Sequence, residues 1–152
     1  MGKIKTCCVT GHRDIPEEQK IKIDELLHRE ILMAIEDGYT HFISGFAAGA
    51  DLLFAEIVNE LKASYPITLE TAIPYPGRMK SPDKTFQRLI RCFDVVKIHA
   101  DAYFKGCYMR RNCYMVDQSQ RIIAVYDGRC TGGTAATVRY AKGKEVRVVW
   151  RM

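Results

Sequence analysis

The chain has 152 residues, 47% of them hydrophobic and 27% charged, with a formal net charge of +5. That length and balance suit one soluble globular domain with a full core, and they exclude a disordered chain. No apolar run approaches the ~20 residues of a bilayer helix, and Met1-Gly2-Lys3-Ile4-Lys5 enters a strand without an apolar leader, which predicts a cytoplasmic protein with no membrane partner.

Lys5 to Thr10 is a compact apolar run ending at Thr10-Gly11-His12-Arg13, and it reads as the first strand. Asp14-Ile15-Pro16-Glu17 follows, with Asp14 placed as an N-cap and Glu17 as its capping-box partner. Apolar residues then recur at helical spacing to Asp37 (Ile23, Leu26, Leu27, Ile31, Met33, Ala34), and Gly38 is placed to end that helix. His41 to Ser44 is the second strand and Asp51 to Ala63 the second helix. Ile67 to Ile73 is the third strand, closed by Pro74-Tyr75-Pro76-Gly77. Ser81-Pro82 suits an N-cap and first-turn proline for a helix reaching Cys92. Val95 to Ile98 is a fourth strand, Tyr103 to Cys107 a loop, and Tyr108 to Gln120 a helix. Arg121 to Tyr126 is the fifth strand, Gly132 to Lys142 a helix ended by Gly143, and Val146 to Trp150 the last strand.

Strands alternate with helices, and several strands are apolar on both faces, so the sheet is mostly parallel and covered on both sides. Right-handed crossovers then give an α/β, Rossmann-like, doubly wound sheet of about six strands in three layers. The whole of residues 1–152 reads as a single domain, without repeats or linkers. Parallel strands bring all their C-terminal ends to one edge, where ligands of such sheets bind. The residues just past each strand therefore locate the expected site. They are Thr10, Gly11, His12 and Arg13; Ser44, Gly45, Gly49 and Asp51; Pro74, Tyr75 and Arg78; then Asp127, Gly128, Thr131, Gly132, Gly133 and Thr134.

Two of these segments, Ser44-Gly45 to Gly49-Ala50-Asp51 and Gly128 to Gly132-Gly133-Thr134, are glycine-rich turns leading into helices. Such turns bring unpaired amide N–H groups to an anion, phosphate above all; ordinary chain reversal is the plainer alternative. The glycine spacing is not the G-x-G-x-x-G fingerprint. The modest positive charge favours an anionic ligand but includes no Lys/Arg run of the kind found in nucleic-acid arms. Cys7 and Cys8 are adjacent inside an apolar strand, and Cys92, Cys107, Cys113 and Cys130 form no C-x-x-C pair and lie close to no histidine, so no metal site is expected. They read as reduced thiols in the core.

At this point the chain resembles the SLOG superfamily, named for the DprA/Smf and LOG proteins, and is most similar to its YpsA-like branch. The matching pieces are Thr10-Gly11-His12-Arg13, Ser44-Gly45 with Gly49-Ala50-Asp51 and Ala55-Glu56, Arg111-Asn112 with Met115-Val116-Asp117, and Ala124 to Gly128 leading to Gly132-Gly133-Thr134. The resemblance implies a Rossmann-like domain that binds nucleotides or nucleotide-derived ligands. LOG relatives hydrolyse the N-glycosidic bond of nucleoside monophosphates, and DprA-type relatives bind single-stranded DNA. The LOG motif pairs Arg-Lys-x-x-Met with Pro-Gly-Gly-x-Gly-Thr-x-x-Glu. Here Arg111 and Met115 match the first part, with Asn112 in place of lysine. Gly133-Thr134 matches the second, but Thr137 stands at the glutamate position. A neutral hydroxyl cannot act as carboxylate base or stabilise an oxocarbenium-like charge.

The leading expectation is binding or sensing of a phosphorylated nucleoside or an ADP-ribose-like ligand, with no cofactor required. Gly11, His12, Arg13, Ser44, Gly45, Gly49, Asp51, Arg111, Asp127, Gly128, Gly132, Gly133 and Thr134 are its candidate contacts. Arg13 and Arg111 suit bidentate phosphate contact, Asp51 and Asp127 suit ribose hydroxyls, and Tyr75, Tyr108 or Tyr126 suits base stacking. The first alternative is a nucleoside-phosphate N-glycohydrolase that uses Asp51, Asp127 or Glu56 as its carboxylate. Asp51 and Glu56 lie about 500° apart around a helix and are not an acid/base pair. The second alternative is single-stranded DNA binding of the DprA kind, and the LOG analogy adds a homodimer.

Overall fold

The computed structural model describes residues 4–150. Lys5–Gly11 forms β1, and its inner residues, Thr6 to Thr10, are all buried. Burial without alternation is what a strand covered on both faces requires. A single 3-10 turn, Glu17–Gln19, precedes helix α1, Lys20–Glu36, which buries Ile23, Leu27, Ile31 and Ala34 along one stripe. The expected Asp14–Glu17 capping box does not form: the turn starts after Pro16, which is extended, and no side chain caps it. Proline disfavours helical backbone at the residue before it, so the chain cannot enter a helix at Asp14. Gly38 does end α1, with φ of +95°.

Strand β2 runs Tyr39–Ser44, two residues longer than expected at its start, and leads through the first glycine turn into α2, Ala50–Leu61. Strand β3 is Thr68–Ile73, and β4 is Val95–Ile98. Between them lies the short helix α3, Lys84–Leu89. Its cap is Asp83, not Ser81: the Asp83 carboxylate accepts from Phe86 N–H at 3.0 Å, and Ser81 Oγ accepts from Asp83 N–H at 3.3 Å. Helix α4 is Cys107–Gln118, β5 Arg121–Val125, α5 Gly133–Tyr140 and β6 Glu145–Val149.

All neighbouring strand pairs are parallel, in the order β4-β3-β2-β1-β5-β6. One apolar layer packs α1, α2 and α3 on the sheet through Leu27, Ile31, Phe54, Leu89, Phe42 and Ile123. The other packs α4 and α5 through Met115, Val116 and Ala141 against Cys8, Ile43 and Ile122. This is the doubly wound, three-layer Rossmann-like sheet. The first four strands progress in one direction, and the chain then crosses back to lay β5 on the other side of β1. That places the reversal of strand order between β1 and β5, where a crevice opens at the strand ends. Gly11 lets it form, since a Cβ there would stand 2.4 Å from the Ala50 Cβ and 2.8 Å from the Val125 Cβ. Among the described residues no helix is long and apolar enough to cross a membrane.

Candidate functional site

A cavity of about 320 Å³ lies at this point, within the size range of small-molecule sites. The turn after β1 supplies Gly11, His12, Arg13 and Asp14; α4 supplies Tyr108, Arg111 and Asn112; the segment after β5 supplies Arg129 and Thr131 to Thr134. From the first glycine turn and the start of α2 only Ala47 and Asp51 reach it.

The second glycine turn is open. Gly132 has φ of +97°, and a Cβ on Gly132 or Gly133 would meet no atom within 4 Å. No side chain caps α5, and Ala136 is its first amide with a helical acceptor, Gly132 O at 3.1 Å. The amides of Gly133, Thr134 and Ala135 are thus left for whatever enters the crevice.

The first glycine turn, expected as a second phosphate cradle, already has three of its amides paired. Ala50 N–H donates to His12 O at 3.2 Å, Phe46 N–H to Ser44 Oγ at 3.1 Å, and Ala47 N–H to Asp51 Oδ2 at 3.2 Å. Ser44 Oγ donates in turn to Asp51 O at 2.8 Å. At Gly49, with φ of +76°, a Cβ would lie 2.4 Å from Arg13 O and 2.6 Å from His12 O. Ser44, Gly45 and Gly49 therefore build the wall of the crevice instead of offering amides to it. The turn carries acceptors of its own, and they and His12 O take the amides of Phe46, Ala47 and Ala50.

Behind this wall lie two buried groups of opposite charge, Arg111 and Asp51. A Cβ on Gly45 would stand 2.9 Å from both Arg111 Nη1 and Asp51 Oδ2, so glycine is the residue that lets the two side chains meet the turn. Arg111 is 3% exposed; its Nη1 donates to Gly45 O at 2.6 Å and to Ala72 O at 3.1 Å, and its Nε to Asn112 Oδ1 at 2.7 Å. Its Nη2 takes no acceptor among the described residues, and the side chain lines the crevice. Burial pulls the Arg111 value down while Asp51 opposes the shift. Asp51, 8% exposed, is pushed up to about 6 by burial, against the lowering effects of Arg111, the Ala47 N–H and Arg13.

His12 and Asp127 also meet, His12 Nε2 lying 3.1 Å from Asp127 Oδ1. The Asp127 carboxylate is clamped by the Arg129 guanidinium, whose Nε lies 3.0 Å from both oxygens. These bonds, Arg129 foremost, hold Asp127 well below the usual carboxylate range. Tyr108 has Arg13 at 5.1 Å and Arg111 at 5.6 Å from its ring centre. Tyr75 stands edge-on to Tyr108, and Tyr126 beside His12, both off the crevice lining. Glu56 points away and pairs with Arg88. Gly128, with φ of +96°, shapes the turn but does not line the crevice. Of the cysteines, Cys7, Cys8 and Cys107 are buried as expected, whereas Cys130 is exposed beside Arg129.

The YpsA sequence model, described as the YspA SLOG family, matches residues 7–149. The chain belongs to this SLOG family. A UPF0398 protein of Bacillus cereus is 26% identical over 93% of this chain and 84% of its own length. The SPbeta prophage-derived protein YoqJ of Bacillus subtilis is 32% identical over 90% of each. Among solved structures, the single-stranded DNA-binding DNA processing protein A of Helicobacter pylori superposes with a TM-score of 0.66 at 17% identity. The match covers 95% of this chain and 64% of that one, so this chain spans less than two thirds of that protein. The structural-genomics target TM1055 gives 0.61 at 18% identity, covering 94% and 72%. At these identities the likeness is one of fold.

Within the SLOG family, the departures of this chain from the LOG motif fall into contact. Asn112 Nδ2 donates to Thr137 Oγ1 at 3.1 Å, and Thr137 Oγ1 donates to Gly133 O at 2.8 Å. Arg111, Asn112, Thr137 and the Gly133 carbonyl thus form one chain of hydrogen bonds between α4 and the start of α5. Where the motif has two charged residues, this protein has a neutral pair that braces the open turn. Thr137 is 2% exposed, a buried strut with no access to a ligand. Arg129 and Asn112 went unassigned in the sequence reading; their only signal is position, just past β5 and just after the motif arginine.

Proposed function

We propose that this domain binds a phosphorylated nucleoside or an ADP-ribose-like ligand in the crevice between β1 and β5. The observation that carries the reading is the pairing of an uncapped, open Gly132-Gly133-Thr134 helix start with the buried Arg111. Amides at a helix start hold phosphate oxygens, and Arg13, Arg111 and Arg129 on the same walls neutralise its charge. Tyr108, on the cavity lining with two guanidinium groups near its ring, offers an aromatic surface to a base.

The carboxylates bear on turnover. Asp127 is engaged by Arg129 and His12, Glu56 lies outside the crevice, and position 137 is a buried threonine. Of the named catalytic candidates only Asp51 stands at the cavity, which favours binding over N-glycoside hydrolysis. The test is isothermal titration of the full chain against nucleoside mono- and diphosphates, ADP-ribose and a single-stranded deoxyoligonucleotide. Binding in the micromolar range by one phosphorylated nucleoside is expected, with loss of binding in Arg111→Met. No heat from any nucleotide at millimolar concentration overturns the reading. Binding of the oligonucleotide alone, with a steep salt dependence, replaces it with the DNA-binding alternative.

A further inference from the structure

We infer that Asp51 makes the crevice selective for ribose over deoxyribose, so that the ligand is a ribonucleotide-type phosphate carrying a free sugar hydroxyl. The inference rests on the proposed function and adds a sugar specificity to it.

The two ends of the crevice differ in chemistry. One end, the α5 start with its unpaired amides and Arg129, is rich in donors, although the Asp14 carboxylate also lines the cavity near Arg129. The other end holds Asp51. Its Oδ2 is occupied by the Ala47 N–H, while Oδ1 takes no hydrogen bond among the described residues and is not sealed from the crevice. An ionised carboxylate is acceptor-only. It repels phosphate and asks for a neutral donor at that spot, which in a nucleotide is first of all a sugar hydroxyl. Arg111 stands between the ends, touching the same Gly45 turn as Asp51 and linked through Asn112 and Thr137 to Gly133. This bracing fixes the spacing of the two ends, and a cavity of about 320 Å³ keeps them within reach of one small ligand.

The selectivity follows from leaving an acceptor unpaired. A deoxy ligand that displaces water from Asp51 without replacing its hydrogen bond forfeits a charge-assisted bond, which corresponds to a roughly 10- to 100-fold loss of affinity. The same requirement turns deoxyribose strands away from this crevice.

The experiment titrates the full chain with AMP, GMP, CMP and UMP, with their 2′-deoxy and 3′-deoxy counterparts, and with IMP. At least one ribonucleotide should bind tenfold or more tighter than one of its deoxy forms. In Asp51→Asn, whose fold is checked by its melting curve, the gap should close to within about threefold through weaker ribonucleotide binding. Equal binding of ribo and deoxy forms to the wild type overturns the sugar specificity and leaves the proposed function standing. A preference for AMP over IMP without any deoxy effect also overturns it, because the donor is then a base amine. If neither series binds, the proposed function falls, and this inference with it.

Discussion

Replacing Asp51 by asparagine separates the cost of the buried carboxylate from its use. The carboxyl ordinarily titrates near 3.8, and burial in the crevice wall raises it to about 6. A group raised on folding holds, between those two values, a proton that the unfolded chain has released. Its contribution to stability is therefore complete below pH 3.8 and is lost as pH rises through about 6. At about 1.36 kcal/mol per pH unit, the loss amounts to roughly 3 kcal/mol by neutral pH. Arg111 and the Ala47 N–H already offset part of the burial, and the upward shift is what remains after them.

Asparagine keeps an oxygen for the Ala47 N–H and does not titrate. Whatever constant offset the substitution brings through Arg111, the stability gap between wild type and Asp51→Asn should move by about 2.5 kcal/mol in favour of asparagine from pH 4 to pH 8. Urea unfolding of both proteins at intervals of one pH unit measures it, since every other titrating group cancels in the difference. In midpoint terms the gap should open by roughly 1 to 2 M urea. The steepest change belongs midway between the ordinary and the raised value, near pH 5. A gap that stays flat, or that moves the other way, would falsify the picture of an ionised carboxylate retained at a cost in the wall.

Gly49→Ala should lower stability by about 3 kcal/mol, because its Cβ meets the Arg13 and His12 carbonyls at a positive φ; an unchanged urea midpoint refutes the close approach. Thr137→Val keeps the shape but strands the Asn112 amide, and should cost about 1–3 kcal/mol along with nucleotide affinity. Thr137→Ser, which keeps the hydroxyl, should bind like the wild type in the same titration, and equal affinity in all three proteins removes the strut from the site. Arg111→Lys should weaken nucleotide binding at least tenfold, since an ammonium cannot serve Gly45 O, Ala72 O and Asn112 Oδ1 together and still reach a ligand. Retention of full affinity would show that charge alone suffices there.

The architecture was legible because its signals are local and repeated. Unbroken apolar strands such as Ile122 to Val125, the stripe Ile23, Leu27, Ile31 and Ala34, and the stop at Gly38 each state their structure within a few residues. Legibility failed where two local signals competed. Asp14 and Glu17 have the spacing of a capping box, but Pro16 between them dictates extended backbone. Ser81 and Asp83 both suit a cap, and only the register of the helix, set by burial of Phe86 and Leu89, decides between them. Strand order is not local at all. That Arg129 and His12 share a carboxylate depends on β5 lying beside β1, a product of the crossover after β4.

The two glycine turns show what further information a site needs. Both follow a strand and start a helix, and on glycine content alone they were equivalent. They differ in the acceptors they carry. The first brings Ser44 and Asp51, whose hydroxyl and carboxylate lie within four residues of the amides of Phe46 and Ala47 and take them. The second brings Gly132, Gly133 and Thr134, with no carboxylate in the turn; neither α2 nor α5 has a side-chain cap. A glycine turn that contains its own anion has part of its donors taken before any ligand arrives, whereas one without it keeps them free. The same bonding occupies one Asp51 oxygen and leaves the other at the crevice, where the proposed sugar contact would sit.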